Sequence, residues 1–193
     1  MEPLIGVFFT PIEAFYTALL GVMVGHVVGF RGDLYEFIFA FGAPVGAYVS
    51  SLAFRGRFRP IAAYYVVALS AYFLAPESRS LPLWALWDTY FAFLLLLVVM
   101  LVGKRRLATL DRTYLLTTAT VIGLEADILL RIFLFIPLGT YRWFYGFSVE
   151  YVRAIWEVNA FIAPIQVGIA VPVTVIVGRG LADAVEVLRK QAP

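Results

Sequence analysis

Residues 82–103 read PLWALWDTYFAFLLLLVVMLVG and carry one charged side chain, Asp88. An apolar run of about 20 residues is what an α-helix needs to cross the hydrocarbon core of a bilayer. The composition agrees, since 62% of the 193 residues are hydrophobic, 15% are charged and the mean hydropathy is +0.89. Such a chain has too little polar surface to cover a soluble globule, so the sequence predicts an integral membrane protein.

Five other apolar stretches have a similar length, and the breaks between them hold Gly, Pro or charged residues, as helix ends do. The alternating pattern of a membrane barrel is missing from these runs. The sequence therefore predicts an all-α fold, one transmembrane domain over residues 1–193 with six membrane-spanning helices. The predicted spans are about 8–30, 34–54, 60–76, 82–103, 113–137 and 158–178.

Basic residues concentrate in alternate breaks, after the second, fourth and last spans. Since loops rich in Lys and Arg stay on the cytoplasmic side, this pattern predicts a multi-pass protein of the cell membrane with both termini in the cytoplasm. The break over residues 138–157 then faces outside. It is long and aromatic, so it either lies along the outer interface or folds back over the bundle.

Several function classes lack their sequence signals. Cys is absent, and the net charge of +2 is spread over the loops, which argues against thiolate chemistry and nucleic-acid binding. GKRR at 103–106 lacks the glycine spacing and hydroxyl of a phosphate-binding loop, so the chain is not predicted to hydrolyse ATP. We expect no enzyme activity, no metal ion and no cofactor.

The stretch TVIGLEADILLRIFLF at 120–135 places Glu125, Asp127 and Arg131 in an apolar run. Ionisable residues at membrane depth are costly and mark candidate sites. Asp127 and Arg131 are four residues apart, so they either contact a ligand or neutralise each other. Glu125 lies about 200° around the helix from Asp127 and needs a partner, a ligand or a proton of its own.

Other polar and aromatic residues lie at the predicted outer level. Trp84 and Trp87 flank Asp88, and they form either an aromatic belt at the interface or a wall beside a carboxylate suited to a flat cation. Trp156 and Asn159 lie at the outer start of the last span. Eight residues are therefore predicted to bind a substrate: Trp84, Trp87, Asp88, Glu125, Asp127, Arg131, Trp156 and Asn159.

The first span carries small residues at steps of three and four, namely Ala14, Ala18, Gly21 and Gly25. Such a stripe lets another helix approach closely within a membrane. The neighbour is either a helix of a partner protein or another helix of the same bundle.

Six spans, the pair Ala14 and Ala18, the FGAPVG element at 41–46 and the last span with its basic tail resemble the substrate-binding S component of energy-coupling factor transporters. The resemblance implies a membrane receptor that captures a vitamin-like small molecule from outside. It also implies a transmembrane coupling subunit, contacted through Ala14 and Ala18, and two ATPase subunits as partners. Carboxylates beside aromatic rings favour an organic cation of the thiamine type, while Arg131 leaves a ligand with a carboxylate possible.

Two other classes stay open. An intramembrane enzyme would use Asp88, Glu125 and Asp127 as acid, base or metal-binding groups on a lipid or prenyl substrate. An oligomeric ion channel would line its pore with Glu125 and Asp127.

Overall fold

The structure, a computed structural model, describes residues 2–29, 38–107 and 111–191, and these are almost entirely helical, without a strand among them. Two 3-10 helices, Pro76–Ser80 and Leu83–Leu86, lie near the middle of the chain. The α-helices are α1 Glu2–Phe8, α2 Pro11–Val28, α3 Gly42–Phe54, α4 Phe58–Leu74, α5 Trp87–Leu107, α6 Arg112–Phe135, α7 Thr140–Trp143 and α8 Val149–Gln191.

Each of the six predicted spans overlaps one of the longer helices, and the all-α prediction holds for the described residues. Three segments are long and apolar enough to cross a membrane: Pro11–Val28, Leu83–Val102 and Val149–Leu181. The start of the predicted second span, 34–37, lies outside the described residues. Six complete crossings therefore remain a prediction.

The predicted first span begins differently from expectation. Residues Glu2–Phe8 form a separate short helix, and Thr10 is extended because the proline that follows it disfavours the helical conformation. Gly6 of α1 packs against the backbone of Ala47 and Ser51 in α3. This brings Glu2 beside Asp127 rather than to the basic end near Arg55, so the predicted cytoplasmic position of the N terminus is not confirmed.

Helices α3 and α6 cross closely through small residues. A methyl group added to Gly123 would lie 2.8 Å from the carbonyl oxygen of Gly46 and 2.9 Å from Cβ of Ser50. One added to Gly46 would lie 3.0 Å from the carbonyl oxygen of Gly123. Backbones approach in this way when both helices offer small residues at the crossing point.

Polar bonds between helices hold the rest of the bundle. The hydroxyl of Tyr65 in α4 donates to the carbonyl oxygen of Ile122 at 2.9 Å, and that of Tyr64 donates to Ala126 O at 2.8 Å. The indole Nε1 of Trp87 in α5 donates to Ala160 O in α8 at 2.9 Å. Helices α3, α4, α5 and α8 all pack against α6.

The segment after α6 folds back over the bundle, the second of the two conformations considered for 138–157. Its turns pass through Gly139 and Gly146 at φ +68° and +63°, values that glycine adopts without strain. Tyr141 of this segment is buried in one cluster with Tyr72 of α4 and Trp156 of α8. The break is shorter than the predicted 138–157, since α8 already begins at Val149 and neither Gly nor Pro interrupts it before Pro164.

Candidate functional site

A cavity of about 600 Å³ lies between α5, α6 and α8, and it is also lined by Glu2 of α1, by Phe39 just before α3 and by Tyr145. This volume is within the usual range for small-molecule sites. The polar and charged side chains that line it are Glu2, Asp88, Asp127, Arg131, Asn159 and Gln166. Five of the eight predicted substrate-binding residues are therefore brought together here, namely Asp88, Asp127, Arg131, Trp156 and Asn159.

Asp127 and Arg131 form a two-pronged ion pair along one face of α6. Arg131 Nε lies 2.6 Å from Asp127 Oδ1, and Arg131 Nη2 lies 2.9 Å from Asp127 Oδ2. The side chain of Arg131 is 46% exposed and that of Asp127 is 9% exposed. The two residues thus neutralise each other, as the i,i+4 interpretation stated, while the guanidinium keeps an open edge toward the cavity.

Gly42 provides the space for this ion pair. A methyl group at Gly42 would overlap Asp127 Oδ1 and come within 2.9 Å of Arg131 Nε. The glycine at the start of α3 therefore has a steric role in the site, which the FGAPVG element alone did not reveal.

Asp88 opens helix α5 at the cavity wall. Asp88 is 7% exposed, and its Oδ1 accepts a hydrogen bond from the backbone N–H of Thr89 at 2.9 Å. Within the described part of the chain, no Lys or Arg forms an ion pair with it; the pairs found there are Arg131 with Asp127 and Arg153 with Glu157. Asp88 is thus a buried carboxylate that faces a cavity without a cation of its own.

Glu125 lies behind this wall and does not line the cavity, so its predicted direct contact with a substrate is not supported. It is 2% exposed, and the hydroxyl of Thr89 donates to its Oε2 at 3.1 Å. The physical reason is its face of α6: the half turn that separates it from Asp127 points it toward α5.

Aromatic rings form the rest of the lining. The ring of Trp156 stacks on that of Phe135 with centroids 6.3 Å apart, and on that of Tyr72 with centroids 6.1 Å apart. Phe39 and Tyr145 pack edge-on or tilted around Phe135. Their ring faces are suited to cations and flat ligands.

Trp84 and Trp87 do not line this cavity, so the wall predicted from them is not part of it. Both indoles are about half exposed on the outside of the bundle, and Trp87 is held by its bond to α8. Because the 3-10 helix Leu83–Leu86 precedes α5, Ala85 and Leu86 face the cavity in their place. The belt interpretation fits this position.

Some lining residues were missed by sequence reasoning. Glu2 was taken as part of a tail before the first span, and Phe39, Phe135 and Tyr145 carried no signal beyond general aromatic content. The Pro11 break after Glu2–Phe8 was the one available sign that α1 is a separate helix.

Ala14 and Ala18 are buried against Ala47 of α3, so the predicted contact of these two residues with a partner subunit does not fit this structure. The other interpretation of the small stripe, packing within the bundle, describes them. Gly21 and Gly25 differ, since both are exposed and no described side chain would touch a methyl group placed there.

The carboxylates proposed for enzyme chemistry are not brought together as a group. Asp88 and Asp127 line the cavity, but Arg131 occupies both oxygens of Asp127 and Glu125 is turned away. In the described segments, no cluster of three or more His, Cys, Asp or Glu side chains could hold a metal ion.

Comparison with known protein families, with curated proteins and with solved structures finds no match for this chain.

Proposed function

We propose that this protein is a multi-pass membrane protein whose central cavity binds a small organic cation. One observation carries the proposal: Asp88 is a buried carboxylate at the wall of a cavity of about 600 Å³, without a cationic partner among the described residues. A buried charge in a folded protein is normally compensated. A cationic ligand would supply that compensation.

The outer surface supports a membrane environment. Large apolar side chains are exposed along α2, α4, α5 and α8, among them Val28, Leu74, Leu101 and Ile176. A soluble monomer rarely exposes so much contiguous apolar surface, whereas lipid chains would cover it without cost. The residues around the cavity are the polar exception, as expected for a binding site within a bundle.

The cavity lining favours a cation over an anion. Its carboxyl and basic side chains are three carboxylates, Glu2, Asp88 and Asp127, and one guanidinium, Arg131. If all are ionised, their formal charge is −2, and Asp127 already neutralises Arg131. Two unit charges 4 Å apart attract by about 4 kcal/mol at an effective dielectric constant of 20, so a cation beside Asp88 gains substantially.

The remaining groups restrict the shape of the ligand. Trp156, Phe135 and Phe39 make much of the lining aromatic, and an aromatic or quaternary ammonium cation in contact with a ring face gains a cation–π interaction of about 0.5–2 kcal/mol. Asn159 and the open edge of Arg131 offer hydrogen-bond donors across the same cavity. A ligand with a cationic head and a polar acceptor group would use both.

The finer assignment, a substrate-binding subunit of an energy-coupling factor transporter, remains part of the proposal. It is supported by the cavity, which lies away from the basic end marked by Arg55, Arg112 and Arg179, the end predicted to be cytoplasmic. Because Ala14 and Ala18 are buried, a coupling subunit would contact the exposed stripe of Gly21 and Gly25 instead. Substrate uptake that requires added coupling and ATPase subunits, and fails with Gly25→Leu, would test it.

The experiment for the proposed function is mass spectrometry of the small molecules extracted from protein purified in mild detergent. We expect a stoichiometric organic cation from the wild type, strongly reduced with Asp88→Asn. The matched control is Glu157→Gln, which removes an exposed carboxylate outside the cavity. Equal amounts of the same molecule from wild type and Asp88→Asn, or an anionic molecule in its place, would overturn the proposal.

A further inference from the structure

Thr89 connects two buried carboxylates. Its backbone N–H donates to Asp88 Oδ1 at 2.9 Å, and its hydroxyl donates to Glu125 Oε2 at 3.1 Å. Thr89 itself is fully buried. The cavity wall therefore continues inward from Asp88 through one residue to Glu125.

The two carboxylates lack a compensating positive charge. Thr89 joins them through one hydrogen bond to each carboxylate, and neither forms an ion pair with a described Lys or Arg. Two neighbouring carboxylates in a water-poor site do not both ionise at little cost, because each charge loses its hydration and repels the other. One proton shared by the pair removes both penalties.

The geometry assigns that proton to Glu125. Asp88 lines the cavity, where solvent enters, and a backbone N–H stabilises its charge. Glu125 is behind the wall, 2% exposed, and its bond from Thr89 is a neutral hydroxyl contact. A negative charge therefore costs less free energy on Asp88 than on Glu125.

Other titratable groups lie on helices that pack near the pair. They are Tyr64 and Tyr65 on α4, Tyr90 on α5, Asp127 and Arg131 on α6, and Glu2 on α1. Helix α8 contributes Trp156, Asn159 and Gln166, which do not titrate. The hydroxyls of Tyr64 and Tyr65 already donate to α6 carbonyls, and Arg131 is engaged by Asp127. None of these groups supplies a free positive charge to Glu125.

We propose that Glu125 holds a proton while the cavity is empty and releases it when an organic cation binds beside Asp88. This inference rests on the proposed function. The O–H bond of the Glu125 carboxyl breaks, the proton leaves past Asp88 to water in the cavity, and the bound cation stabilises the new carboxylate. The total charge of the site is the same before and after, since one positive charge replaces another.

The resting proton can be tested without a ligand. Infrared spectroscopy of the wild-type protein at neutral pH should show the carbonyl stretch of a buried protonated carboxyl group, and the band should be lost in Glu125→Gln and kept in Glu157→Gln. Thr89→Val should raise the frequency of the band, because the hydroxyl no longer donates to the carboxyl, while Thr89→Ser should leave it in place. A wild-type spectrum without this band would overturn the inference.

The release step is tested with tetraethylammonium, a cation that has no proton to give. Calorimetry in buffers of different ionisation enthalpy counts the protons released on binding, and we expect up to about one per bound cation for the wild type. Glu125→Gln should bind the cation and release none. Binding without release in the wild type, or equal release in the variant, would overturn the release step.

The two tests separate the two proposals. If no quaternary ammonium ion binds, the proposed function and the release step both fail, while the infrared band still decides the resting proton. If the cation binds and no band is found, the proposed function stands and the proton assignment falls.

Discussion

Replacing Gly123 by alanine tests the crossing of α3 and α6, on which the geometry of the cavity depends. The added methyl group would lie 2.8 Å from the carbonyl oxygen of Gly46, and still closer to the hydroxyl oxygen of Ser50. The Ser50 hydroxyl can rotate away, but the Gly46 carbonyl is backbone and cannot. The helices must separate by about 0.6 Å to bring 2.8 Å up to an ordinary contact of 3.4 Å.

Forcing such a shift in a packed interior costs about 1–3 kcal/mol. Alanine regains up to about 1 kcal/mol through its better helix propensity, so we expect Gly123→Ala to be less stable by about 1–2 kcal/mol. The control is Gly168→Ala in α8, where nothing lies within 4 Å of the added methyl group. Gly168→Ala brings the same gain in helix propensity without a steric overlap.

The assay is reversible unfolding of the purified protein by a denaturing detergent, followed by tryptophan fluorescence. Gly123→Ala should unfold at lower denaturant than both the wild type and Gly168→Ala. Adding Ser50→Gly to Gly123→Ala should recover part of the loss, because the Gly46 carbonyl contact remains. A Gly123→Ala variant as stable as Gly168→Ala would refute the described crossing.

Three further predictions concern the site and the bundle. Gly42→Ala should displace the α6 ion pair and lower the retained ligand, measured by mass spectrometry, and unchanged retention would count against its steric role. Tyr65→Phe removes a buried hydrogen bond and should lower the free energy of unfolding in denaturing detergent by about 1 kcal/mol. Tyr48→Phe, at a partly exposed position, should lower it less. Ala14→Leu should reduce the yield of folded protein without any partner present, since Ala14 is fully buried, whereas Gly21→Leu should not.

The helices were predictable because a long apolar run bounded by Gly, Pro and charged residues can adopt few structures other than a helix in a membrane. The start of the chain was not, since Glu2–Phe8 is too short to give a hydropathy signal. Its position depends on a fit between Gly6 and α3 that only the packed structure shows.

The site was predictable in part for the same reason. A carboxylate such as Asp88 in an apolar run marks a candidate site wherever the helix packs, and the four-residue spacing of Asp127 and Arg131 made their pairing one of two expected arrangements. The place of Trp84 and Trp87 was not predictable, because the same aromatic pattern serves a membrane interface and a ligand wall. The sequence does not show which face of α6 meets the cavity, because this depends on the rotation of each helix about its axis in the bundle. The position of Glu125 behind the cavity wall follows from that rotation.

The central claim is that Asp88 and the cavity bind an organic cation, and the most direct test is the affinity of purified protein for tetraethylammonium and larger quaternary ammonium ions, measured by calorimetry. We predict binding to the wild type, roughly 30-fold weaker binding to Asp88→Asn, equivalent to about 2 kcal/mol, and unchanged binding to Glu157→Gln. Equal affinities of the wild type and Asp88→Asn, or an absence of binding across the whole series, would contradict the claim.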